Sequence, residues 1–314
     1  MSLKTKILIT GGAGFVASCL AEKLAENPQN EILIVDNLLT GNMAKVPVSA
    51  NNNVRFFNCN VNDWNTISGI FYSNNFDYVF HYAALVGVLR TLNNPISVLE
   101  DITGIKNILT LSKNTGVKRV YYSSSSEVYG EPVEFPQNEH TTPLNSRLPY
   151  AIVKNVGEAY LKSYHKEYGL EYTIFRFFNT YGPKQSKDFV ISKFIRAAMN
   201  NEKITIYGDG NQTRTFCFID DNIEACLNAF YKNLYVNDII NIGNDNETKV
   251  SDLAKLIIEI CDSKSEIEHL PPLEEGDMTR RLPDIEKMKA LLNRDLTPLE
   301  LGLRKTISNR KLFI

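Results

Sequence analysis

The sequence begins with an apolar run, a glycine-rich turn and an amphipathic run, and this order restricts the fold more than any other feature. The run 6–10 is typical of a buried parallel strand, and the turn TGGAGF (10–15) follows at once. The amphipathic pattern predicts a helix from Val16 to Glu26, which Pro28 ends. A strand that feeds directly into a helix through such a turn is typical of an α/β protein with a parallel sheet.

The same turn predicts a site for a dinucleotide. Gly11 allows the tight turn, Gly14 lets a pyrophosphate approach the backbone, and free N–H groups at the helix start point at the anion. A second apolar run ends on Asp36, roughly 20 residues downstream, where a carboxylate would bind the ribose hydroxyls of adenosine. No Arg follows Asp36 directly to receive a 2′-phosphate, so we expect NAD rather than NADP.

Strand and helix patterns continue to alternate, which predicts a Rossmann-type doubly wound parallel sheet. Further strands are predicted at 54–57, 77–80, 118–122, 172–175 and 239–242, and further helices at 64–72, 94–114, 150–168, 189–200, from 220, 250–262, 284–293 and 298–309. Elements become shorter and turns more frequent after about residue 180, which predicts a smaller α/β region toward the C-terminus.

Tyr150 and Lys154 carry the strongest sign of chemistry outside the turn. Residues four apart lie one above the other on a helix, so the ammonium group would stand next to the phenol. An unperturbed Tyr has a pKa of about 10, and a nearby positive charge favours the phenolate. The motif predicts an acid–base pair, although a surface Tyr with its Lys would produce the same four-residue spacing.

Composition favours an enzyme without charged macromolecular partners. A net charge of −2 gives no reason to expect nucleic acid or a membrane surface as a partner. The five cysteines are scattered without metal-ligand spacing, and His81 and His140 have no ligand partners, so we expect no metal. No signal peptide precedes the first strand and no apolar stretch is long enough to span a bilayer, which predicts a cytoplasmic protein.

Several motifs in a fixed order resemble those of a known family. They are TGGAGF (10–15), DNL (36–38), HYAA (81–84), SSSEVYG (124–130), YAIVK (150–154), RFFNTYGP (176–183), IYGDGNQTRTF (206–216), IDD (219–221) and RRLPDI (280–285). The chain is similar to the extended short-chain dehydrogenases/reductases, in the NAD-dependent epimerase/dehydratase branch that acts on nucleotide sugars. The match runs nearly from end to end.

The resemblance implies a mechanism and a set of site residues. Relatives oxidise a sugar hydroxyl, usually at C4, while hydride passes to NAD. By this resemblance, Tyr150 would take the proton of the hydroxyl and Lys154 would hold the nicotinamide ribose. Ser125 would form a hydrogen bond with the reacting hydroxyl. The implied cofactor contacts are Gly11, Gly14, Phe15, Asp36, Asn37, Asn60, Val61, Ala83, Ala84, Tyr150 and Lys154. The implied contacts to the nucleotide sugar are Asn179, Tyr207, Arg214 and Arg281, with Arg280 an alternative to Arg281.

The resemblance also implies a domain division and an assembly. We expect an NAD-binding Rossmann domain at 1–178, to which about 213–245 returns, and a nucleotide-sugar-binding domain at 179–212 and 246–314. Relatives usually form homodimers through two helices that cover the sheet, one of them being the helix 150–168.

The triplet Ser125-Ser126-Glu127 bears on the product and leaves it open. In dTDP-glucose 4,6-dehydratases these positions resemble Thr-Asp-Glu, and Ser126 cannot supply the acid that protonates the leaving hydroxyl. We favour a 4-epimerase or a 4-dehydrogenase, because these reactions need only Ser125, Tyr150, Lys154 and the cofactor. The alternative is a 4,6-dehydratase or a UDP-glucuronate-type decarboxylase in which Glu127 acts, and Glu127 could also be a structural carboxylate.

Two other classes of protein share parts of this pattern. A non-catalytic dinucleotide-binding protein would be expected to lose the Tyr or the Lys, and both are present here. A reductase of small ketones would need no clamp for a diphosphate, so Arg214 and Arg281 argue against it.

Overall fold

The computed structural model describes residues 4–272 and 280–309. Its helices are α1 (Phe15–Ala25), α2 (Trp64–Asn74), α3 (Val88–Asn93), α4 (Pro95–Leu99), α5 (Asp101–Thr115), α6 (Pro149–Tyr168), α7 (Val190–Met199), α8 (Ile219–Tyr231), α9 (Val250–Ile260), α10 (Glu286–Leu292) and α11 (Leu299–Ser308), with 3₁₀ turns at Met43–Lys45 and Ser126–Tyr129. Its strands are β1 (Thr5–Thr10), β2 (Asn30–Asp36), β3 (Val54–Asn58), β4 (Tyr78–His81), β5 (Arg119–Ser125), β6 (Glu171–Phe177), β7 (Thr180–Tyr181), β8 (Ile204–Tyr207), β9 (Thr213–Thr215), β10 (Cys217–Phe218), β11 (Asp238–Ile242), β12 (Glu247–Lys249) and β13 (Ile267–Leu270).

Seven strands form the main sheet, in the order β11-β6-β5-β4-β1-β2-β3. β1 pairs in parallel with both β2 and β4, so that Ile9 lies opposite Ile34 on one side and Phe80 on the other. The part β3-β2-β1-β4-β5-β6 is the strand order of the doubly wound dinucleotide-binding fold, and it confirms the predicted fold class. In this fold, ligands bind at the carboxyl ends of the strands where the order reverses, here at β1 and β4.

The sequence explains why these strands lie inside. Ile7, Leu8 and Ile9 of β1 are completely buried, as a parallel strand covered on both faces requires. One face of the sheet packs in a hydrophobic cluster that includes Phe71 of α2 and Ile108 of α5.

Local signals set the limits of α6. Pro149 occupies the first helical position, where its missing N–H is not needed, and Gly169 ends the helix with φ 72°. The predicted helix 150–168 is confirmed and begins one residue earlier. Its buried face includes two ionisable residues, Lys154 and Glu158, among small and apolar ones.

The helix predicted at 94–114 is divided into α4 and α5. The N–H of Thr103 donates to the carbonyl of Glu100 three residues earlier, a bond that tightens the chain there into a turn between the helices. Strand β13 was not predicted, because its residues Glu268 and His269 are polar; it pairs in parallel with β8.

The chain forms two compact units. Unit 1 runs to Val128 and adds Ser146–Arg176 and Cys226–Ile240, and unit 2 comprises Tyr129–Asn145, Phe177–Ala225 and the residues from Asn241 onward. These limits differ from the predicted ones, which place 129–145 in the first domain and return 213–245 to that domain. Residues 1–3, 273–279 and 310–314 of the predicted domains lie outside the described residues. None of the described helices is long and apolar enough to cross a membrane.

The segment Tyr129–Asn145 belongs to unit 2 through buried polar bonds. The hydroxyl of Tyr129 donates to Asn241 Oδ1 at 2.8 Å, and the N–H of Gln137 donates to the carbonyl of Leu282 at 2.7 Å. Sequence patterns report neighbours along the chain and cannot show such bonds between distant segments.

Candidate active site

The glycine turn after β1 forms a cradle without side chains. Gly11 has φ +71°, and a Cβ at this position would lie 2.7 Å from the backbone nitrogen of Ala83. Gly14 precedes α1 without a side-chain cap, and a Cβ there would lie 3.0 Å from the carbonyl oxygen of Gly11. The first N–H groups of α1, beginning with Phe15, therefore lack intrahelical partners and face no capping side chain.

Asp36 lies at the end of β2 beside this turn. Its Oδ2 accepts a hydrogen bond from the N–H of Ala13 at 3.0 Å, and its Oδ1 accepts one from the N–H of Leu38 at 2.8 Å. Burial raises the pKa of Asp36, while the two N–H bonds and the charge of Lys45 oppose this shift. The carboxylate is thus held in one orientation, and the next residue, Asn37, is exposed.

Thr10 joins the ends of β1 and β4. Its hydroxyl oxygen accepts hydrogen bonds from the N–H groups of Tyr82 and Ala83, both at 3.2 Å, and bonds Nδ1 of His81 at 2.7 Å. These bonds bring Ala83 against Gly11, and Ala84 follows in the same loop, half-buried.

Asn60 and Val61 lie at the end of the neighbouring strand β3. The N–H of Cys59 donates to the carbonyl of Asp36 at 3.1 Å, so the turn that follows β3 lies beside Asp36. Asn60 is exposed, Val61 is buried, and the carbonyl of Val61 accepts from the amide of Asn107 at 2.9 Å. Outside α6, nine residues are predicted to contact the cofactor. All nine lie at or just after the carboxyl ends of four adjacent strands, β4, β1, β2 and β3.

These positions fit NAD. A pyrophosphate needs close approach to backbone N–H groups, which the bare glycines allow, and each Asp36 oxygen that accepts one N–H keeps a lone pair for a ribose hydroxyl.

Tyr150 and Lys154 lie on successive turns of α6. The Lys154 ammonium is 5.7 Å from the centroid of the Tyr150 ring and 5.1 Å from that of Tyr122. It donates a hydrogen bond to the carbonyl of Ser123 on β5 at 2.6 Å. Lys154 is 2% exposed and Tyr150 is half-buried, so the pair belongs to the sheet side of the helix.

Burial and charge together set the protonation of Lys154 and of His81. Burial lowers the pKa of Lys154 to about 8, and the carboxylate of Asp101 acts in the opposite direction. Burial, followed by the charge of Lys154, lowers the pKa of His81 to about 3, so His81 is neutral near pH 7. The His81 ring is stacked on Tyr122 at 5.9 Å, and the Asp101 carboxylate accepts from the N–H of Leu85 at 2.7 Å.

Ser125 ends β5, and Glu127 follows in the 3₁₀ turn. The hydroxyl oxygen of Ser125 accepts a hydrogen bond from the N–H of Glu127 at 3.2 Å. Ser125 and Ser126 are buried, whereas Glu127 is half-buried and keeps part of its side chain accessible. Glu127 therefore stands two residues after Ser125, at the start of the 3₁₀ turn that follows β5.

The residues predicted to contact the nucleotide sugar all belong to unit 2. The amide of Asn179 donates to the carbonyl of Thr215 at 3.1 Å, and this bond places Asn179 against the strand that carries Arg214. Arg214 is half-buried and donates to the carbonyl of Thr213 at 2.8 Å. Tyr207 ends β8 and is half-buried.

The structure distinguishes Arg280 from Arg281. Arg280 forms a bidentate pair with Glu247 at 2.8 and 2.6 Å, and its guanidinium lies 4.4 Å from the centroid of the Phe135 ring. Arg281 is buried, with 6% of its surface exposed. Arg280 is thus held in a surface ion pair, whereas Arg281 is buried.

Several residues of the site were not singled out from the sequence. They are Thr10, Asp101, Ser124, Glu158 and Arg176. Glu158 could have been found, because it stands four residues after Lys154 and a carboxylate on a buried helical face needs a partner. In the part of the chain that the structure describes, no three His, Cys, Asp or Glu side chains converge as a metal site would require.

Lys154→Met is expected to increase stability. The folded pKa of about 8 lies below the unfolded pKa of about 10.4, so the charged lysine destabilises the fold fully below pH 8, and this penalty fades as the pH rises through 8 to 10. After subtraction of the lost bond to Ser123, we expect a gain on the order of 1–2 kcal/mol at pH 7. Urea unfolding of the NAD-free protein at pH 7 and pH 10 measures the free energy of unfolding of the variant and of the unmodified chain. If the two free energies differ by the same amount at both pH values, the expectation is contradicted.

Comparison with known proteins places these observations in a family. The model of the NAD dependent epimerase/dehydratase family matches residues 7–243. UDP-glucuronic acid decarboxylase 1 of Danio rerio is 36% identical over 313 residues, which cover 97% of this chain and 72% of that protein. A putative UDP-glucose 4-epimerase of Methanocaldococcus jannaschii is 34% identical over 96% of this chain and 97% of its own length.

A solved structure extends the similarity to three dimensions. UDP-glucose 4-epimerase of Thermotoga maritima, determined with UDP-glucose, has a TM-score of 0.90 and 33% identity over 97% of this chain and 98% of that one. Together with the matched family model and the cradle for a dinucleotide, this similarity shows that the chain is an enzyme that uses NAD and belongs to the NAD-dependent epimerase/dehydratase family.

Proposed function

We propose that the protein oxidises a hydroxyl of a nucleoside-diphosphate sugar, at C4, and that it is a nucleotide-sugar 4-epimerase or 4-dehydrogenase. The observation that carries the proposal is the pair on α6, in which a buried ammonium with a pKa of about 8 stands next to the Tyr150 phenol. A neighbouring ammonium favours the phenolate form of Tyr150, and a phenolate can accept the proton of a sugar hydroxyl.

The side chains of unit 1 would share this work. Tyr150 would remove the proton from the sugar hydroxyl, and Lys154, charged below about pH 8, would stabilise the phenolate while fixed to the Ser123 carbonyl. Ser125 would hydrogen-bond the reacting oxygen. Bound NAD would supply the hydride acceptor and, for an epimerase, the donor that returns the hydride.

Unit 2 would bind the nucleotide sugar. Arg214 and Arg281 suit a diphosphate because guanidinium groups bind phosphate oxygens in a bidentate manner. Asn179 is held beside Arg214 by its bond to Thr215, and its remaining amide atoms would bind the same ligand. Tyr207 would line the nucleotide pocket.

Glu127 supports the second candidate function, a decarboxylase or 4,6-dehydratase. It is half-buried, two residues from Ser125, and could take a proton from the carbon next to the new ketone. Relatives named for 4-epimerisation and for decarboxylation match this chain about equally well. We favour the first candidate because it requires only Tyr150, Lys154, Ser125 and the cofactor.

One experiment separates these outcomes. The purified protein is incubated with NAD and, in turn, with UDP-, GDP-, dTDP- and CDP-sugars, including UDP-glucuronate. Unchanged mass with a changed configuration means epimerisation, and loss of two hydrogens with rising nicotinamide absorbance means dehydrogenation. Loss of water or carbon dioxide would replace the first candidate by the second, and no change with any sugar would overturn the proposal.

Arg214→Ala is expected to weaken binding of the sugar that this panel identifies. Loss of a charge-assisted hydrogen bond costs about 1.5–3 kcal/mol, so KM should rise roughly 10- to 100-fold with little change in kcat. Arg280→Ala is the matched control, because Arg280 is already paired with Glu247, and its KM should stay within about twofold. Equal KM values for Arg214→Ala and the unmodified chain would remove Arg214 from the diphosphate site.

We also propose a cytoplasmic homodimer that contacts its partner through α6. Ile152 and Tyr168 of this helix are exposed hydrophobic residues, as expected for a helix that packs against a second copy. None of the five cysteines in the described residues is in a disulfide, which fits a reducing compartment. Light scattering of the unmodified chain and of Ile152→Glu tests the assembly, and a monomer in both would contradict it.

A further inference from the structure

Three side chains follow one another at four-residue intervals along α6. Tyr150 and Lys154 are the proposed acid–base pair, and Glu158 occupies the next turn on the same side. Glu158 is only 1% exposed, which is unusual for a carboxylate and requires strong partners. The proposed chemistry does not use it.

Two neighbouring strands supply those partners. The hydroxyl of Ser124 on β5 donates to Glu158 Oε1 at 2.6 Å. Arg176, on β6 and also 1% exposed, donates from Nε to Oε1 at 2.9 Å and from Nη2 to Oε2 at 2.6 Å. The carboxylate is therefore fixed in two directions by a bidentate pair and a hydroxyl.

The bonds from α6 to β5 follow the same order along both elements. Ser123 accepts from Lys154 through its carbonyl, and Ser124 binds Glu158 through its hydroxyl, so adjacent residues of the strand hold adjacent turns of the helix. Between these turns, a Cβ on Gly157 would lie 2.2 Å from the hydroxyl of Tyr122, which shows how closely the Tyr122 side chain packs against α6.

Stability alone does not explain a buried ion pair at this place. Replacing such a pair with apolar residues of similar volume is often neutral or stabilising, because charges lose their hydration on burial. Apolar residues cannot supply directional hydrogen bonds, which fix the orientation of one element relative to another. A displacement of about 1 Å can reduce a rate about 100-fold, so a helix that carries reacting groups needs directional bonds.

We propose that Glu158, held by Arg176 and Ser124, is a positioning residue that fixes the rotation and axial position of α6 and thereby places Tyr150 and Lys154 for catalysis. The proposal rests on the proposed function of that pair. It requires no contact of Glu158 with substrate or cofactor.

The decisive variant is Glu158→Met/Arg176→Met. The double substitution removes both charges together, so neither is left buried without its partner, and the chain should fold with a Tm close to that of the unmodified protein. We expect kcat with the sugar identified by the panel to fall about 10- to 100-fold. KM and the Kd for NAD should stay within about threefold, because no binding group is lost.

Arg119→Met/Glu171→Met is the matched control. Arg119 and Glu171 form a salt bridge at 3.0 Å between the first residues of β5 and β6, whereas Ser124 and Arg176 lie near the last residues of the same strands. The control should keep kcat within about twofold, because the loss of the Arg119–Glu171 salt bridge disturbs the beginning of the two strands, whereas Ser123 lies near the end of β5. A folded Glu158→Met/Arg176→Met protein with unchanged kcat would overturn the proposal.

Hydrogen exchange gives a test that needs no substrate. In the NAD-free protein, the amides of residues 152–158 should exchange at least about threefold faster in Glu158→Met/Arg176→Met than in the unmodified chain or the control. Unchanged exchange would overturn the proposal. If exchange is faster in the double variant but the unmodified chain turns over no nucleotide sugar, the positioning role is supported. Only the proposed function is then contradicted.

Ser124→Ala covers the case in which the double variant does not fold. It keeps the ion pair and removes only the hydroxyl bond to Glu158. We expect kcat to fall about three- to tenfold with unchanged KM and Tm within a few degrees. A kcat equal to that of the unmodified chain would then reject the positioning role.

Discussion

Tyr150→Phe is expected to lose turnover by about 10²–10⁴-fold while it keeps NAD bound. The substitution removes one oxygen from a half-buried ring and leaves the packing of α6 in place, so Lys154 should keep its bond to the Ser123 carbonyl. Without the phenol, the neighbouring Lys154 cannot take over as proton acceptor, because its amine is protonated at a pH well below 8. Single-turnover absorbance of the nicotinamide at saturating sugar measures the chemical step directly.

Tyr168→Phe is the control for this variant. Tyr168 ends the same helix, about 27 Å from Tyr150 along the helix axis, so the loss of its hydroxyl should leave kcat unchanged. The Kd for NAD, measured by calorimetry, should stay within about threefold in both variants, since the glycine cradle and Asp36 are intact. Turnover of Tyr150→Phe within tenfold of the unmodified chain would remove Tyr150 as the acid–base group.

Gly11→Ala is expected to abolish useful NAD affinity and to destabilise unit 1. The φ of +71° is strained for alanine, and the new Cβ would lie 2.7 Å from the backbone of Ala83, which cannot rotate away. Strain of this kind costs about 1–3 kcal/mol, and the displaced turn no longer fits a pyrophosphate. A loss of about 3 kcal/mol in binding corresponds to an increase in Kd of about 100-fold, which calorimetry with NAD detects.

Substitutions at two other glycines distinguish backbone strain from the clash with Ala83 as the cause of the lost NAD affinity. Gly116 has φ +78° with no atom within 4 Å of a Cβ, so Gly116→Ala adds strain without a clash. Gly69 lies in α2 with equally open space, and Gly69→Ala should stabilise by about 0.5–1 kcal/mol. Both controls should bind NAD normally. If Gly11→Ala binds NAD as tightly as Gly116→Ala does, the close approach to Ala83 has no role in the cradle.

Much of the cofactor site could be predicted because its signals are local. The strand, the turn with Gly11 and Gly14, and the helix are continuous in the sequence, and Asp36 ends the next strand. Parallel strands align their carboxyl ends, so residues that follow successive strands meet at one edge. Asn60 and Ala83 could be added only from the resemblance, since nothing in their own sequence marks them.

Other features could not be predicted because they depend on contacts between distant segments. The sequence does not show that Arg280 pairs with Glu247, 33 residues away, while Arg281 next to it is buried. The segment 129–145 has no pattern that separates it from its neighbours, yet Gln137 bonds Leu282. Short strands such as β13 form only when a partner strand supplies half of the hydrogen bonds.

The sequence by itself determined the α/β fold, the choice of NAD and the presence of a phenol and an ammonium four residues apart, because periodicity and spacing within one segment suffice for these. The tertiary structure alone decided that Lys154 is buried with a lowered pKa and that Glu158 is bonded by Arg176 and Ser124. Burial and charge pairing arise when segments far apart in the chain come together, and they set both the protonation and the placement of the groups that react.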